Sequence, residues 1–380
     1  MSAALFLPAR AKVNLSLRIV GRRPDGYHLL ETLFRTLSLH DDVVVRAVDG
    51  DAVGIDVTAD APELQVPADG RNLAARALVL LRDAVRAATG SAPGLHVHVH
   101  KRIPNGAGLG GGSSNAAAAL VLGNQLLGGP LAAPALHELA VQLGADVPFF
   151  LRGGCQWGRG IGDELEPVTP SSGPGPDSSP PATLASPAAS ISPTPPPPGR
   201  GGDIDFVLLL PPYGCNTVAV YKMYAELWRA DSSGDTVRGN TVSENLAAGR
   251  AGLGEGDDGS AVQTGSNHND LERAAMQLRP ELRRLRDAAA ASAGPADPAS
   301  GGIRARVRDA LDVRMSGSGS TLFVPIAGPD AQARRRAAEH CRDAIAAKLV
   351  AADDGEHAGT RLLVTGCGPP VDGDTPLARP

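Results

Sequence analysis

Residues 104 to 120 read PNGAGLGGGSSNAAAAL, and five of the seven positions from 106 to 112 are glycine. Glycine permits positive φ and carries no Cβ, so such a run lets the backbone turn tightly and lets a ligand approach its peptide groups. The flanks narrow its use. Before it, GLHVHVH (94–100) alternates apolar and polar residues with the period of a half-buried strand, which sets His96, His98 and His100 on one strand face rather than in a metal site. After it, the stretch from Ser113 to Leu127 predicts a helix, stopped by Gly128, Gly129 and Pro130. A strand, a glycine loop and a helix N-terminus in succession make a cradle of backbone N–H groups, for which phosphate is the natural guest. Ser113, Ser114 and Asn115 fall where the first helical turn should begin, able to cap the helix or to reach phosphate oxygens and their metal, with Ser114 the candidate metal contact.

Two familiar phosphate-binding patterns do not fit. A Walker loop needs GxxxxGK[ST], and no glycine here precedes Lys and then Ser or Thr in that frame. GxGxxG does occur at Gly106, Gly108 and Gly111, but no Asp or Glu lies between Gly106 and Glu138 to hold a ribose, as a dinucleotide site requires.

The 380-residue chain has a net charge of −5, so no global basic field exists to hold nucleic acid or an anionic membrane, and a small-molecule substrate is expected. No stretch is long and apolar enough to span a bilayer, and the first residues lack a cleavage-site pattern, which predicts a cytoplasmic protein. Cys155, Cys215, Cys341 and Cys367 are scattered without a CxxC pair, the pattern of ordinary reduced thiols. Residues 171–202 are nearly all Pro, Ser, Gly, Ala and Thr, a composition that predicts a disordered insertion between a domain over 1–165 and a second over 203–366. Further weak stretches cover 231–269 and 291–302, and 367–380 is predicted to be a loose tail.

In AKVNLSLRIV, Val13, Leu15, Leu17 and Ile19 alternate with Lys12, Asn14, Ser16 and Arg18, which predicts a strand with Lys12 and Asn14 on its polar face. PDG (24–26) is a turn signal, TLFRTLSL and DDVVVRAV read as two further strands, and Pro134 to Leu143 reads as a helix capped by Gly144. Strand runs mixed with helix pairs predict an α+β fold.

The glycine segment resembles the central motif of the GHMP kinases (galactokinase, homoserine kinase, mevalonate kinase and phosphomevalonate kinase), and GGGSSNAA is similar to one branch whose acceptor carries a cytidyl group. AKVNLSLRIVGRRPDGYHLLETLF (11–34) resembles that branch's N-terminal signature, and MSGSGSTLFV (315–324) resembles the third glycine motif of the superfamily. GADVPFF (144–150) and GRGIGDELEPV (158–168) match in kind and order.

The resemblance implies a two-domain fold, with an N-terminal domain like ribosomal S5 domain 2, a C-terminal α/β sandwich and the active site in the cleft between them. It implies ATP-dependent phosphorylation, with ATP along Pro104, Asn105, Gly106, Ala107, Gly108, Leu109, Gly110, Gly111, Gly112, Ser113, Ser114 and Asn115, and Mg2+ bridging its phosphates. Asp146 should contact the acceptor hydroxyl, with Lys12 beside it keeping it ionised. By residue type alone, Asp146 would more often be the N-cap of a short helix before Pro148 than a catalyst, and Lys12 more often a solvated strand residue; the motifs occurring together reverse both. Tyr27 and His28 should hold the cytosine, one by its ring face and one by hydrogen bonds. Tyr221 or its competitor Tyr224 would supply a second wall. Asn14 and Lys101 could orient substrate or phosphates, and Ser316, Gly317, Ser318 and Gly319 should form a second glycine turn over the transferring phosphate. The Pro-rich insertion has no counterpart in the family pattern, and its PTPPPP tract reads as a solvated excursion in preference to a partner-binding segment.

Overall fold

A computed structural model describes residues 4–168, 204–233, 269–292, 306–307, 310–328, 330–351 and 357–367. The Pro-rich insertion, most of the two weaker stretches and nearly all of the predicted tail lie outside the described residues; Cys367, the exception in the tail, bridges Leu37.

The N-terminal half is a mixed sheet with helices on one face. Strands β1 (Ala4–Arg22) and β2 (His28–Val48) form a long antiparallel hairpin. On the edge of β2 away from β1, its later stretch pairs with β4 (Gly94–Lys101), which pairs on to β3 (Val53–Ala59), and its earlier stretch pairs with β5 (Cys155–Arg159), followed by β6 (Glu164–Pro167). The two strands expected at 32–39 and 41–48 are therefore one. The hairpin bonds to β1 run along nearly the whole of β2, while β5 and β4 take successive stretches of its other edge, so the Asp41-Asp42 pair interrupts nothing.

Helices α1 (Leu73–Thr89) and α2 (Gly111–Leu126) cover the face that carries Leu95, Val97, Val99, Val43 and Val45. Asn72 caps α1 by accepting from the Ala74 N–H at 3.0 Å, and Gly90 ends it at φ 86°. Packed between the sheet, α1, α3 (Ala133–Leu143) and α4 (Val147–Arg152), α2 has no wet face over most of its length, so its alanine run reflects burial all round. A Cβ on Gly123 would stand 2.5 Å from Leu81, so this glycine sets how closely α1 and α2 approach.

The C-terminal half is an antiparallel sheet in the order β8 (Arg314–Met315), β9 (Leu322–Ile326), β7 (Asp205–Leu210), β10 (Arg361–Thr365). Leucine, valine and phenylalanine fill β7 because both its faces are buried. Val207 and Leu209 face helices, and Phe206, Leu208 and Leu210 face the N-terminal half, where they meet Ala11, Val13, Leu37, Ile103 and Leu109 in one apolar cluster. Hydrogen bonds extend this seam: Ser38 N–H donates to Gly366 O at 2.9 Å, and the Ser38 and Thr365 hydroxyls lie 2.8 Å apart. Among the described residues, no helix is long and apolar enough to cross a membrane.

Candidate active site

A cleft of about 940 Å3 opens where the two halves meet, bordered by Lys12, Asn14, Tyr27, His28, Lys101, Asp146, Tyr221, Gly317, Ser318 and every residue from Pro104 to Ser113. Strand β1 brings Lys12 and Asn14 to it. Although they alternate with Val13 as expected, both are buried, because the glycine loop and the C-terminal turn close over that face.

Lys12 Nζ lies 3.4 Å from Asp146 Oδ2 and donates to Asn14 Oδ1 at 2.6 Å. Asp146 precedes α4 but accepts no hydrogen bond from that helix, so it is not a cap; its carboxylate turns toward Lys12. The Asn14 amide nitrogen in turn donates to Thr32 Oγ1 at 2.7 Å, and Thr32 Oγ1 donates to the Ser16 carbonyl at 2.7 Å. A carbonyl only accepts, so the direction of every bond in this chain is set from Ser16 outward, and Asn14 must present its oxygen to Lys12. Thr32 is fully buried and escaped the sequence reading; lying inside an alternating strand, it carried no signal of its own.

The glycine loop is held by its carbonyls. Gly106 O accepts from Cys215 N, Ala107 O from Thr321 N, Gly108 O from Ser316 Oγ and Leu109 O from Lys12 N, at 3.4, 3.1, 3.0 and 3.0 Å. With Gly106, Gly108 and Gly110 at φ 65°, 75° and 70°, the segment has the alternating curl of an anion-binding nest. Helix α2 begins at Gly111, two residues earlier than expected, and its first N–H groups add to the cradle. At two of these positions the protein itself demands glycine. A Cβ on Gly108 would lie 2.4 Å from Ser316 O, and one on Gly110 2.7 Å from Phe150, so the protein itself occupies the space.

Three expected contacts are placed differently. Ser114 is buried within α2, donates to Gly111 O at 2.9 Å and faces a small cavity by Arg10 and Thr36, away from the cleft. Asn115, also buried, does not border the cleft either. Lys101 reaches the cleft wall but is bound to the fully buried Asp41, which also accepts from the backbone N–H groups of Arg102 and Ile103 at 2.7 and 2.8 Å. Asp41 thus fastens the strand that feeds the loop, a role that reading DDVVVRAV as a strand does not show.

At the far end, the Arg23 N–H to Tyr27 O bond (2.7 Å) and the Arg22 side-chain bond to Gly26 O (3.1 Å) tie the turn that sets His28 at the start of β2. The His28 ring stacks on Tyr221, centroids 5.0 Å apart at 24°, and meets the edge of Tyr224 at 6.0 Å. Tyr221 borders the cleft, and Tyr224 does not. Tyr27 is 60 % exposed at the rim. Burial, assisted by Arg22, lowers the His28 pKa and favours a neutral ring; burial, assisted by Asp146, raises that of Tyr221. The Ser318 hydroxyl lies 2.9 Å from that of Thr217, while Ser316 accepts from Asn14 N–H at 3.4 Å. Ser316 and Gly319 lie behind the cleft lining, with Gly317 and Ser318 at its surface.

A glycine nest running into a helix N-terminus on this two-sheet scaffold agrees with known proteins. Residues 72–154 match the GHMP kinases N terminal domain family model. The chain is 32 % identical over 318 residues to a 4-diphosphocytidyl-2-C-methyl-D-erythritol kinase of Desulfitobacterium hafniense, covering 83 % of this chain and 84 % of the relative. It is 48 % identical over 162 residues to the protein of the same name from Xanthomonas axonopodis pv. citri, spanning 43 % of this chain and about half (52 %) of that relative. A crystal structure of 4-(cytidine 5'-diphospho)-2C-methyl-D-erythritol kinase superposes with a TM-score of 0.56 at 29 % identity, covering 96 % of this chain and 99 % of the other. Homoserine kinase from Cytophaga hutchinsonii, 18 % identical with a TM-score of 0.58 over 98 % of this chain and 96 % of its own, shares the fold. The chain belongs to the 4-diphosphocytidyl-2-C-methyl-D-erythritol kinase family of the GHMP kinases.

Proposed function

We propose that the protein transfers the γ-phosphoryl group of ATP to the 2-hydroxyl of 4-diphosphocytidyl-2-C-methyl-D-erythritol, a step of non-mevalonate isoprenoid precursor synthesis in the cytoplasm. The observation that carries this reading is the Lys12–Asp146 pair, 3.4 Å apart, in one cleft with both the glycine nest and the His28–Tyr221 stack. ATP phosphates sit on the N–H groups of the loop and of the first turn of α2. The cytosine lies against the aromatic end, where a neutral His28 can hydrogen-bond to the base edge. Asp146 accepts the proton of the acceptor hydroxyl as its oxygen bonds to the γ-phosphorus and the bond to the ADP oxygen breaks. Of the three N–H donors on Lys12, one is committed to Asn14 and one faces Asp146; the third is left for the transferring phosphoryl oxygens.

Among the described residues no three His, Cys, Asp or Glu side chains are grouped to hold a metal. That fits Mg2+ carried on phosphates and water with few protein ligands, Ser113 and Asp146 being oxygen donors at the cleft near the loop. When bound, the ion neutralises phosphate charge.

The test is ADP release with Mg-ATP and the cytidyl acceptor, run beside mevalonate, homoserine and galactose. Selective turnover of the cytidyl acceptor is expected, with Asp146→Ala lowering kcat by about 10²- to 10⁴-fold. Turnover of another acceptor instead would remove the cytosine assignment of Tyr27 and His28, and nucleotide binding without any turnover would make the protein a silent binder.

A further inference from the structure

The turn that borders Lys12 from the C-terminal half is itself held by one side chain distant in sequence. Asn269 is buried and bridges Leu17 of β1; its neighbour Asp270 donates its N–H to Leu17 O at 3.0 Å and accepts from Ile19 N–H at 2.6 Å through Oδ2. The Asn269 amide nitrogen donates to two carbonyls of the glycine turn, Met315 O at 2.9 Å and Gly317 O at 2.8 Å, while its oxygen accepts from Leu271 N–H at 3.0 Å. Both amide hydrogens are thus used, and a flipped amide would set its oxygen against two carbonyls.

In a trans peptide, carbonyl and N–H point in opposite directions. Holding Gly317 O on Asn269 therefore turns the N–H of Ser318 to the other side of that peptide. Gly317 and Ser318 border the cleft, and a Cβ on Gly317 would lie 3.2 Å from Asn14 Oδ1 and 3.3 Å from Lys12 Nζ. The peptide plane fixed by Asn269 is thus the one next to the Lys12 ammonium.

We propose that Asn269 is a positioning residue for phosphoryl transfer: it orients the Gly317–Ser318 peptide so that the Ser318 N–H donates to the transferring phosphoryl oxygens beside Lys12. This rests on the kinase reading above. A donor fixed in advance where charge develops is worth about 10²- to 10³-fold in kcat. The anchoring of Asn269 to β1 makes the distance between that donor and Lys12 a property of one connected frame.

Asn269→Asp keeps the shape and replaces the donating nitrogen by an oxygen that repels both carbonyls. Assayed with Mg-ATP and the cytidyl acceptor, it should lose about 10²-fold or more in kcat. The acceptor KM and the affinity for ADP, which lacks the transferred group, should each stay within about threefold, a change of less than 1 kcal/mol. A kcat within threefold of wild type, or an equal loss of ADP affinity, would overturn the proposal. Amide hydrogen exchange on the unaltered protein gives an independent reading. The Ser318 N–H should gain protection with a nonhydrolysable ATP analogue and Mg2+ but not with ADP, and equal exchange in both would overturn the proposal even where the variant does not fold. Absence of wild-type turnover on the cytidyl acceptor would instead sink the kinase reading, with the exchange result still deciding whether Ser318 meets a terminal phosphate.

Discussion

An ammonium on a flexible stem acts at a fixed point only if something holds it there, and Lys12 is held through Asn14 by the hydroxyl of Thr32 on the neighbouring strand. Thr32→Val keeps the volume but removes the one group able to accept from Asn14 while donating to Ser16 O. It should lower kcat by roughly tenfold, the equivalent of one buried hydrogen bond, with Thr32→Ser restoring most of it and the acceptor KM unmoved. His28 gives a pH signature. Burial depresses its folded-state pKa below the ordinary 6.5, so between those two values the unfolded chain holds the proton more tightly and stability rises with pH. The His28 contribution is thus complete above about 6.5 and is lost as pH falls through the lowered value; the melting midpoint should drop less between pH 7.5 and 5.5 in His28→Phe than in wild type. Lys12 and Asp146 were legible in the sequence only because several motifs occurred together. Thr32 and Asn269 were not, since a threonine in a strand and an Asn-Asp before a helix are what ordinary β propensity and capping would put there.

Among the elements, the glycine loop shows that glycines in one motif differ in what they exclude. Gly108→Ala would drive a Cβ to 2.4 Å from Ser316 O at a positive φ, whereas a Cβ on Gly112 meets its nearest neighbour at an ordinary 3.5 Å. Calorimetric titration with ADP should find Gly108→Ala weakened by tenfold or more and destabilised by about 1–3 kcal/mol, and Gly112→Ala close to wild type. Equal effects at both sites would show that backbone approach to the ligand, not packing against the C-terminal turn, selects glycine. The strand, loop and helix succession was readable because each piece has its own period or breaker. The start of α2 was not, because Gly111 and Gly112 are poor helix formers that enter the helix only through the packing of Ile103 and Leu73 around them.

For the molecule as a whole, the apolar seam of Ala11, Val13, Leu37, Phe206, Leu208 and Phe323 argues for one cooperative unit in spite of two sheets. The two tryptophans report the halves separately, Trp157 from β5 and Trp228 from the helix Thr217–Ser233. Single-tryptophan variants should unfold at a common denaturant midpoint, and Leu208→Ala should lower both together by about 2–5 kcal/mol. Two midpoints would mean that the sheets fold independently. The α+β class could be read from composition and period. The seam could not, because the apolar faces of β1 and β7 look in sequence like any buried strand and do not name their partner.

The glycine motif and the structure that shapes it are not the same length of chain. Three of the four carbonyls that give the loop its curl are held by Cys215, Ser316 and Thr321, all from the other half. The segment matched by the N-terminal family model thus carries the motif's letters without what shapes them, and a chain severed between β6 and β7 would keep the sequence and lose the receptor. The curl of the loop is thus a product of the two halves meeting, and a loop held by its own protein donors would leave less ordering cost for any ligand seated on it to bear.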